Sequence, residues 1–277
     1  MGKLRSLIGL LASILLFGIG CGSSGPEGEA CTPSAPKENS ACRYPEKRRV
    51  TVKELDGFEP FCESNCPTGG RVSVREVGGL ENLEALSGFE SFKYLAIRRN
   101  PDLVSLDGLE ELATVVNLRI QHNPKLKHLE GLGNLTTANG GLKVSNNSNL
   151  DSLSGLDSLV ETGSIDILGN QNLESVEALD KVRSSQHMRI INIKANPKLE
   201  SLAGFADIEV IEGELRIWKN DSLRAIEGFE SLKRVTGRVK IVDNPELPRC
   251  EIDQFIERIQ AGGVVVSGNG QGDCSGS

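Results

Sequence analysis

Aromatic side chains make up only 4% of the 277 residues, with one Trp and two Tyr. That excludes a ring-filled globular centre and leaves Leu, Ile and Val to build the core. Histidine is as scarce. His122, His128 and His187 are scattered, and no Ser/His/Asp set or phosphate loop accompanies them. Positive charge is in deficit, with 31 basic against 38 acidic residues and a net charge of −7. This balance excludes a protein that holds nucleic acid by bulk charge. What the chain has in quantity is glycine, 31 residues, and 38% hydrophobic residues. The combination points to thin repeated layers.

There is one long apolar run, Leu7 to Ile19, behind Lys3 and Arg5. A spanning helix needs roughly 20 apolar residues, so the run fits a signal-peptide core better than a membrane span. Phe17-Gly18-Ile19-Gly20-Cys21 resembles a bacterial lipoprotein signal, although Gly18 stands where that motif usually has Leu, Val or Ile. The resemblance implies a signal peptide over 1–20 and a lipid on Cys21 that ties the protein to a membrane of the cell envelope, with the outer membrane or cell surface as the expected location. Loss of Lys3 and Arg5 would then take the net charge from −7 to −9. Residues 21–45 are rich in Gly, Ser, Pro and charge without an apolar period, and read as a tether.

Six further cysteines sit at the two ends: Cys31, Cys42, Cys62, Cys66, Cys250 and Cys274. An even number in an exported chain reads as disulfides. Cys250 and Cys274 are the only C-terminal pair and are expected to bridge. The four N-terminal cysteines allow three pairings. Cys62 and Cys66 lack a second pair or a nearby His, so no metal is expected, and no cofactor.

The main signal is a repeat. Asn recurs at 100, 123, 147, 170, 196, 220 and 244, in steps of 23 to 26 residues. Before each stands an alternating apolar pair, such as Leu118/Ile120 and Leu215/Ile217; three residues after each stands Leu. Most copies add Leu-x-Gly-Leu or a close relative, as in Leu106-Asp107-Gly108-Leu109 and Leu202-Ala203-Gly204-Phe205, whereas Val176-Glu177-Ala178-Leu179 lacks the Gly. Alternation of period two makes a short strand with one buried face. A unit of about 24 residues cannot bury that face alone, so copies must stack. The Asn amide, both donor and acceptor, can satisfy backbone groups at the bend after each strand. The Gly relieves crowding at a second corner. The expected fold is all-β: a right-handed solenoid of parallel strands with almost no helix in its middle. Its N-terminal cap spans 46–80, the repeats 81–249 and a C-terminal cap 250–277. In the latter, Ile252, Phe255, Ile256 and Ile259 have helical spacing and Val264 to Val266 read as a last strand.

Val115-x-x-Leu118-x-Ile120-x-x-Asn123 resembles a leucine-rich repeat. Asn-Pro-x-Leu-x-x-Leu-x-Gly-Leu is similar to the receptor L domain of the insulin and epidermal growth factor receptors, although the step from Asn to Leu is one residue longer than in ordinary leucine-rich repeats. The resemblance covers about residues 70–250. It implies a non-catalytic binding module, and the family has no catalytic residues to carry over.

Strand positions that alternate with the buried pair, and the two residues before each Asn, should face outward. Over seven copies they hold nine basic residues, Arg98, Arg99, Arg119, Lys143, Lys194, Arg216, Lys219, Arg238 and Lys240, against Asp166, Glu214 and Asp243. Trp218 lies among them. A basic face with a Trp on an acidic protein suggests an acidic protein or anionic polysaccharide as partner. A spacer whose lysines only keep the sheet soluble is the alternative. A polysaccharide-active enzyme is a third reading. It would use the column Lys143, Asp166, Asn192 and Arg216, where a Lys143–Asp166 ion pair is the simpler expectation and a second carboxylate beside Asp166 is missing.

Overall fold

A computed structural model describes residues 49–52, 68–183 and 188–272, of which 49–52, 68 and 69 are described by backbone only. The chain forms a β-solenoid around one parallel sheet. Its strands are β1 (Arg49–Val52), β2 (Thr68–Arg75), β3 (Ser91–Arg98), β4 (Thr114–Gln121), β5 (Thr137–Ser145), β6 (Glu161–Thr162), β7 (Ser164–Leu168), β8 (Ile190–Lys194), β9 (Val210–Ile211), β10 (Glu214–Trp218), β11 (Arg234–Val242) and β12 (Gln260–Ser267). Ten of them succeed one another across the sheet in chain order; β6 and β9 pair at its side with β5 and β11. Every pairing is parallel. The ladder begins before residue 81, because β1 already pairs with β2, and β2 with β3.

The alternating pairs form two inward columns. Leu95, Leu118, Leu142, Ile165, Ile191, Leu215 and Val239 make one and Ile97, Ile120, Val144, Ile167, Ile193, Ile217 and Ile241 the other, all at most 1% exposed. The Leu three residues after each Asn is buried against the same core. Steps of 23 residues contain no insertion. The step to Asn147 is 24 because the strand bulges: Val115 pairs Ala138, but Asn117 pairs Gly141. The longest step carries residues 184–187, which lie outside the described residues.

Each buried Asn does what its chemistry allows. From Asn100 to Asn244 the backbone N–H donates to the side-chain oxygen of the next Asn at 3.0–3.1 Å. The side-chain N–H₂ donates to a strand carbonyl of the preceding turn, for example Asn123 to Ile97 and Asn147 to Ile120, both at 3.0 Å. The residue just before each Asn makes the bend in the left-handed region. Arg99, His122, Asn146, Ala195, Lys219 and Asp243 have φ of 55–58°, and Gly169 has 66°. Only one of these seven is Gly, and non-Gly residues there cost about 1 kcal/mol or more each. Burial of the Asn offsets that strain by leaving no bend amide unpaired.

Asn269 is an additional rung that the repeat pattern did not reveal, because a Gly-rich stretch surrounds it and no Leu stands three residues on. Its oxygen accepts from Asn244, and its amide donates to Ile241 at 2.8 Å.

The opposite corners use two solutions. Glu84–Leu86, Glu130–Leu132 and Glu177–Leu179 are single 3₁₀ turns, the little helix that the described middle holds. Gly108, Gly155, Gly204 and Gly228 instead take positive φ. A Cβ on Gly155 would collide with the Leu129 carbonyl oxygen, so the crowding expected there is real. At the C-terminal end, helix α1 (Arg249–Glu257) buries Ile252 and Phe255, and Phe255 meets Phe229 with ring centroids 6.1 Å apart. The Cys250 sulfur lies 3.6 Å from the Gly272 carbonyl oxygen. Cys274, like Cys21, Cys31, Cys42, Cys62 and Cys66, lies outside the described residues, as do the signal and tether segments.

Candidate binding face

The outer face of the sheet is set by the register. The position between the two buried residues runs Ser73, Ala96, Arg119, Lys143, Asp166, Asn192, Arg216, Lys240, Val265. The position after the second runs Arg75, Arg98, Gln121, Ser145, Leu168, Lys194, Trp218, Val242, Ser267 along the same pairings. Of the nine basic residues and Trp218 expected on this face, eight therefore lie in strands: Arg98, Arg119, Lys143, Lys194, Arg216, Trp218, Arg238 and Lys240. Lys219 does not. It occupies the left-handed bend after β10, and Arg99 sits likewise after β3. Outward register does not guarantee exposure either. Ala96 is 0% exposed and Ser145 1%, because small side chains on a sheet are overshadowed by long neighbours.

The basic residues form two groups. Arg98, Arg119 and Lys143 lie on β3, β4 and β5, with the Arg119 guanidinium 5.5 Å from the centre of the Tyr94 ring. Arg98 has a buried Nε with no hydrogen-bond partner. Strand β7 then interrupts the charge with Asp166 and Leu168. Beyond it lies the second group, Lys194, Arg216, Trp218, Arg238 and Lys240, on β8, β10 and β11.

Trp218 organises this second group. It is partly buried, not a free surface ring. A lysine from each flanking strand covers it, with Lys194 Nζ 3.9 Å and Lys240 Nζ 4.4 Å from the ring centre. The ring quadrupole attracts both ammonium groups. At the edge of the ring, the indole N–H donates to Asn192 Oδ1 at 3.2 Å. Asn192 in turn donates from Nδ2 to Asp166 Oδ1 at 3.0 Å. This relay across β7, β8 and β10 takes the place of the expected Lys143–Asp166 ion pair, which does not form. The Asp166 carboxylate is spent on orienting an amide, which orients the indole.

Arg216 is held differently. Its guanidinium pairs with Glu214 two residues earlier on the same strand. That pair cancels much of its charge, so Arg216 offers a partner less than the sequence suggests. Lys194, Lys240 and Arg238 have no ion pair among the described residues and carry the net charge of the patch. Asn192 was visible in the sequence only as a neutral member of a column. Its role depends on side-chain geometry that spacing does not convey.

A scan against models of protein families finds none that matches this chain, and a search of the curated proteins finds no match either.

Proposed function

We propose that this protein is a non-catalytic binding module of the cell envelope that holds an acidic macromolecule, protein or anionic polysaccharide, on the strand face around Trp218. The observation that carries the reading is the pair of unneutralised ammonium groups fixed on one indole, Lys194 and Lys240, in a chain of net charge −7. Held cations cost a partner little ordering entropy, and Trp and basic residues are enriched where binding energy concentrates. The repeat's likeness to receptor L domains, with a right-handed coil of leucine-rich-repeat type, supports a surface built for recognition. Lipidation at Cys21 after removal of 1–20, and a Cys250–Cys274 bridge closing the C-terminal cap, make it an exported, tethered protein. The approach of Cys250 to Gly272, two residues before Cys274 in the chain, supports that bridge.

The test is recovery of partners from envelope extracts by the wild type, Trp218→Ala and Lys194→Gln/Lys240→Gln. Loss of the same bound component in both variants supports the reading. Equal recovery by all three chains overturns it.

A further inference from the structure

Among the described residues, β12 is the last strand of the sheet. In the inward column, Leu215 and Val239 are fully buried, but their neighbour Val264 on β12 is 45% exposed. Val265, beside it, is 42% exposed. Strand β12 pairs with β11 on one side, and no described strand pairs with its other side.

The hydrogen-bond phase shows which groups are free. In each turn the residue after the second buried position points its carbonyl back toward the preceding turn: Val242 accepts from Lys219, and Ser267 accepts from Asp243 at 2.8 Å. Alternate residues of a parallel strand face alternate sides. The N–H and C=O groups of Val264 and Val266 therefore point to the open side. The segment Gln260–Ser267 contains no charged residue and no Pro, the usual protections of an edge.

The surroundings choose the occupant. On the outer face, Arg238 pairs with Gly263 and Lys240 with Val265. Arg238 leans over the glycine, its Cγ 3.6 Å from where a Cβ would stand. Gly263 leaves Arg238 a clear path to whatever pairs beyond β12, while Lys240, its ammonium over Trp218, adds positive charge behind it. A second copy of the chain would bring like charge toward like charge. A sugar chain offers no row of backbone amides.

Resting on the binding role proposed above, we infer that the partner is a protein and that it binds by adding an extended acidic segment to the β12 edge. Its backbone pairs with Val264 and Val266. Its side chains alternate: apolar ones continue the core over Val264 and Val266, and carboxylates on the other face meet Arg238, in the positive field to which Lys240 adds.

The probe is a peptide of about ten residues alternating valine and glutamate, added to the full-length protein. It is expected to bind and to slow amide exchange at Val264 and Val266. N-methylation along its backbone, at valines and glutamates alike, or Val266→Pro in the protein, should each weaken binding about tenfold. Gly263→Glu leaves the backbone intact, offers Arg238 an internal carboxylate, and should weaken binding as well. It guards against a Val266→Pro chain that fails to fold. A peptide with lysine for glutamate should not bind. If Arg238→Gln/Lys240→Gln weakens the peptide while N-methylation does not and the Val264 and Val266 amides stay unprotected, edge pairing is overturned and the face reading stands. If no acidic probe responds to any of these changes, both are overturned. Self-association broken by Val266→Pro, without peptide binding, assigns the edge to a second copy and sinks the inference.

Discussion

The Trp218 indole donates to Asn192 on the neighbouring turn at 3.2 Å, and so the protein's one tryptophan is fixed at both its edge and its faces. A single Trp makes its fluorescence an unambiguous reporter of this site. Asn192→Ala removes the acceptor and frees Asp166 at once. The emission should shift to longer wavelength and quenching by iodide should increase. An unchanged spectrum would show that the relay does not order the ring.

The two lysines are expected to contribute through the ring as well as through charge. Lys194→Met and Lys240→Met should each destabilise the fold by about 0.5–1 kcal/mol in urea denaturation, the usual range for exposed cation–π pairs. Replacing Trp218 by Leu first should abolish both effects. If the Met substitutions cost the same in that background, the ring contacts contribute nothing.

The Asn rungs are the most sensitive polar positions in the molecule. Asn170→Ala would strand the Asn147 amide and the Val144 carbonyl in the core. A loss of about 3 kcal/mol or more is expected, since buried groups left unpaired cost about 1–3 kcal/mol each. A loss of less than about 1 kcal/mol would mean that water repairs the gap.

Strain at the bends predicts the opposite sign. Ala195 holds φ 55° where Gly169 holds 66° one turn earlier. Ala195→Gly should stabilise by about 0.5–1 kcal/mol, because relief of the left-handed conformation outweighs the entropy glycine loses. Gly155→Ala should destabilise strongly, given the Leu129 carbonyl that the new methyl would strike. Thermal melting separates the two.

One ion pair gives a pH signature. Lys125 donates to Asp102 at 2.8 Å, and this bond, with the Gly79 N–H, holds the Asp102 carboxyl below its ordinary 3.8. The same contact raises Lys125 above 10.5. The contribution of Asp102 is thus present above pH 3.8 and fades as the pH falls toward its folded value; that of Lys125 fades only as the pH rises through its raised value. Lys125→Met should move the Asp102 titration upward by NMR, and the stabilities of the two chains should converge in acid. A titration that stays put would remove Lys125 as the cause.

Much of this architecture is written in spacing. The seven Asn, the alternating pairs and the Leu three residues on are periodic, and stacking makes periodicity visible, so the strands and core can be read from the residues themselves. The corners are less legible. Glu130–Leu132 and Gly108 solve the same bend by different backbones, and one Leu-x-Gly-Leu pattern covers both. The face is the least legible part. Ala96 is outward by register yet buried, Arg216 spends its charge on Glu214, and Trp218 depends on the neutral Asn192. Each outcome turns on side-chain reach between turns, which no single repeat encodes. The open edge of β12 is hidden for a related reason: three consecutive valines announce a strand, not whether a neighbour exists beyond it.

The column of Asn side chains has a sense of direction. Every rung lends its oxygen backward, to the turn before it, and borrows one from the turn after. Damage to one rung therefore orphans the preceding coil and spares the next. Unravelling that starts at Asn269 can propagate toward the amino terminus rung by rung, whereas fraying at Val77 releases no acceptor that another rung needs. The carboxyl-terminal end is the latch of the whole spine, and whatever settles there steadies coils it never touches.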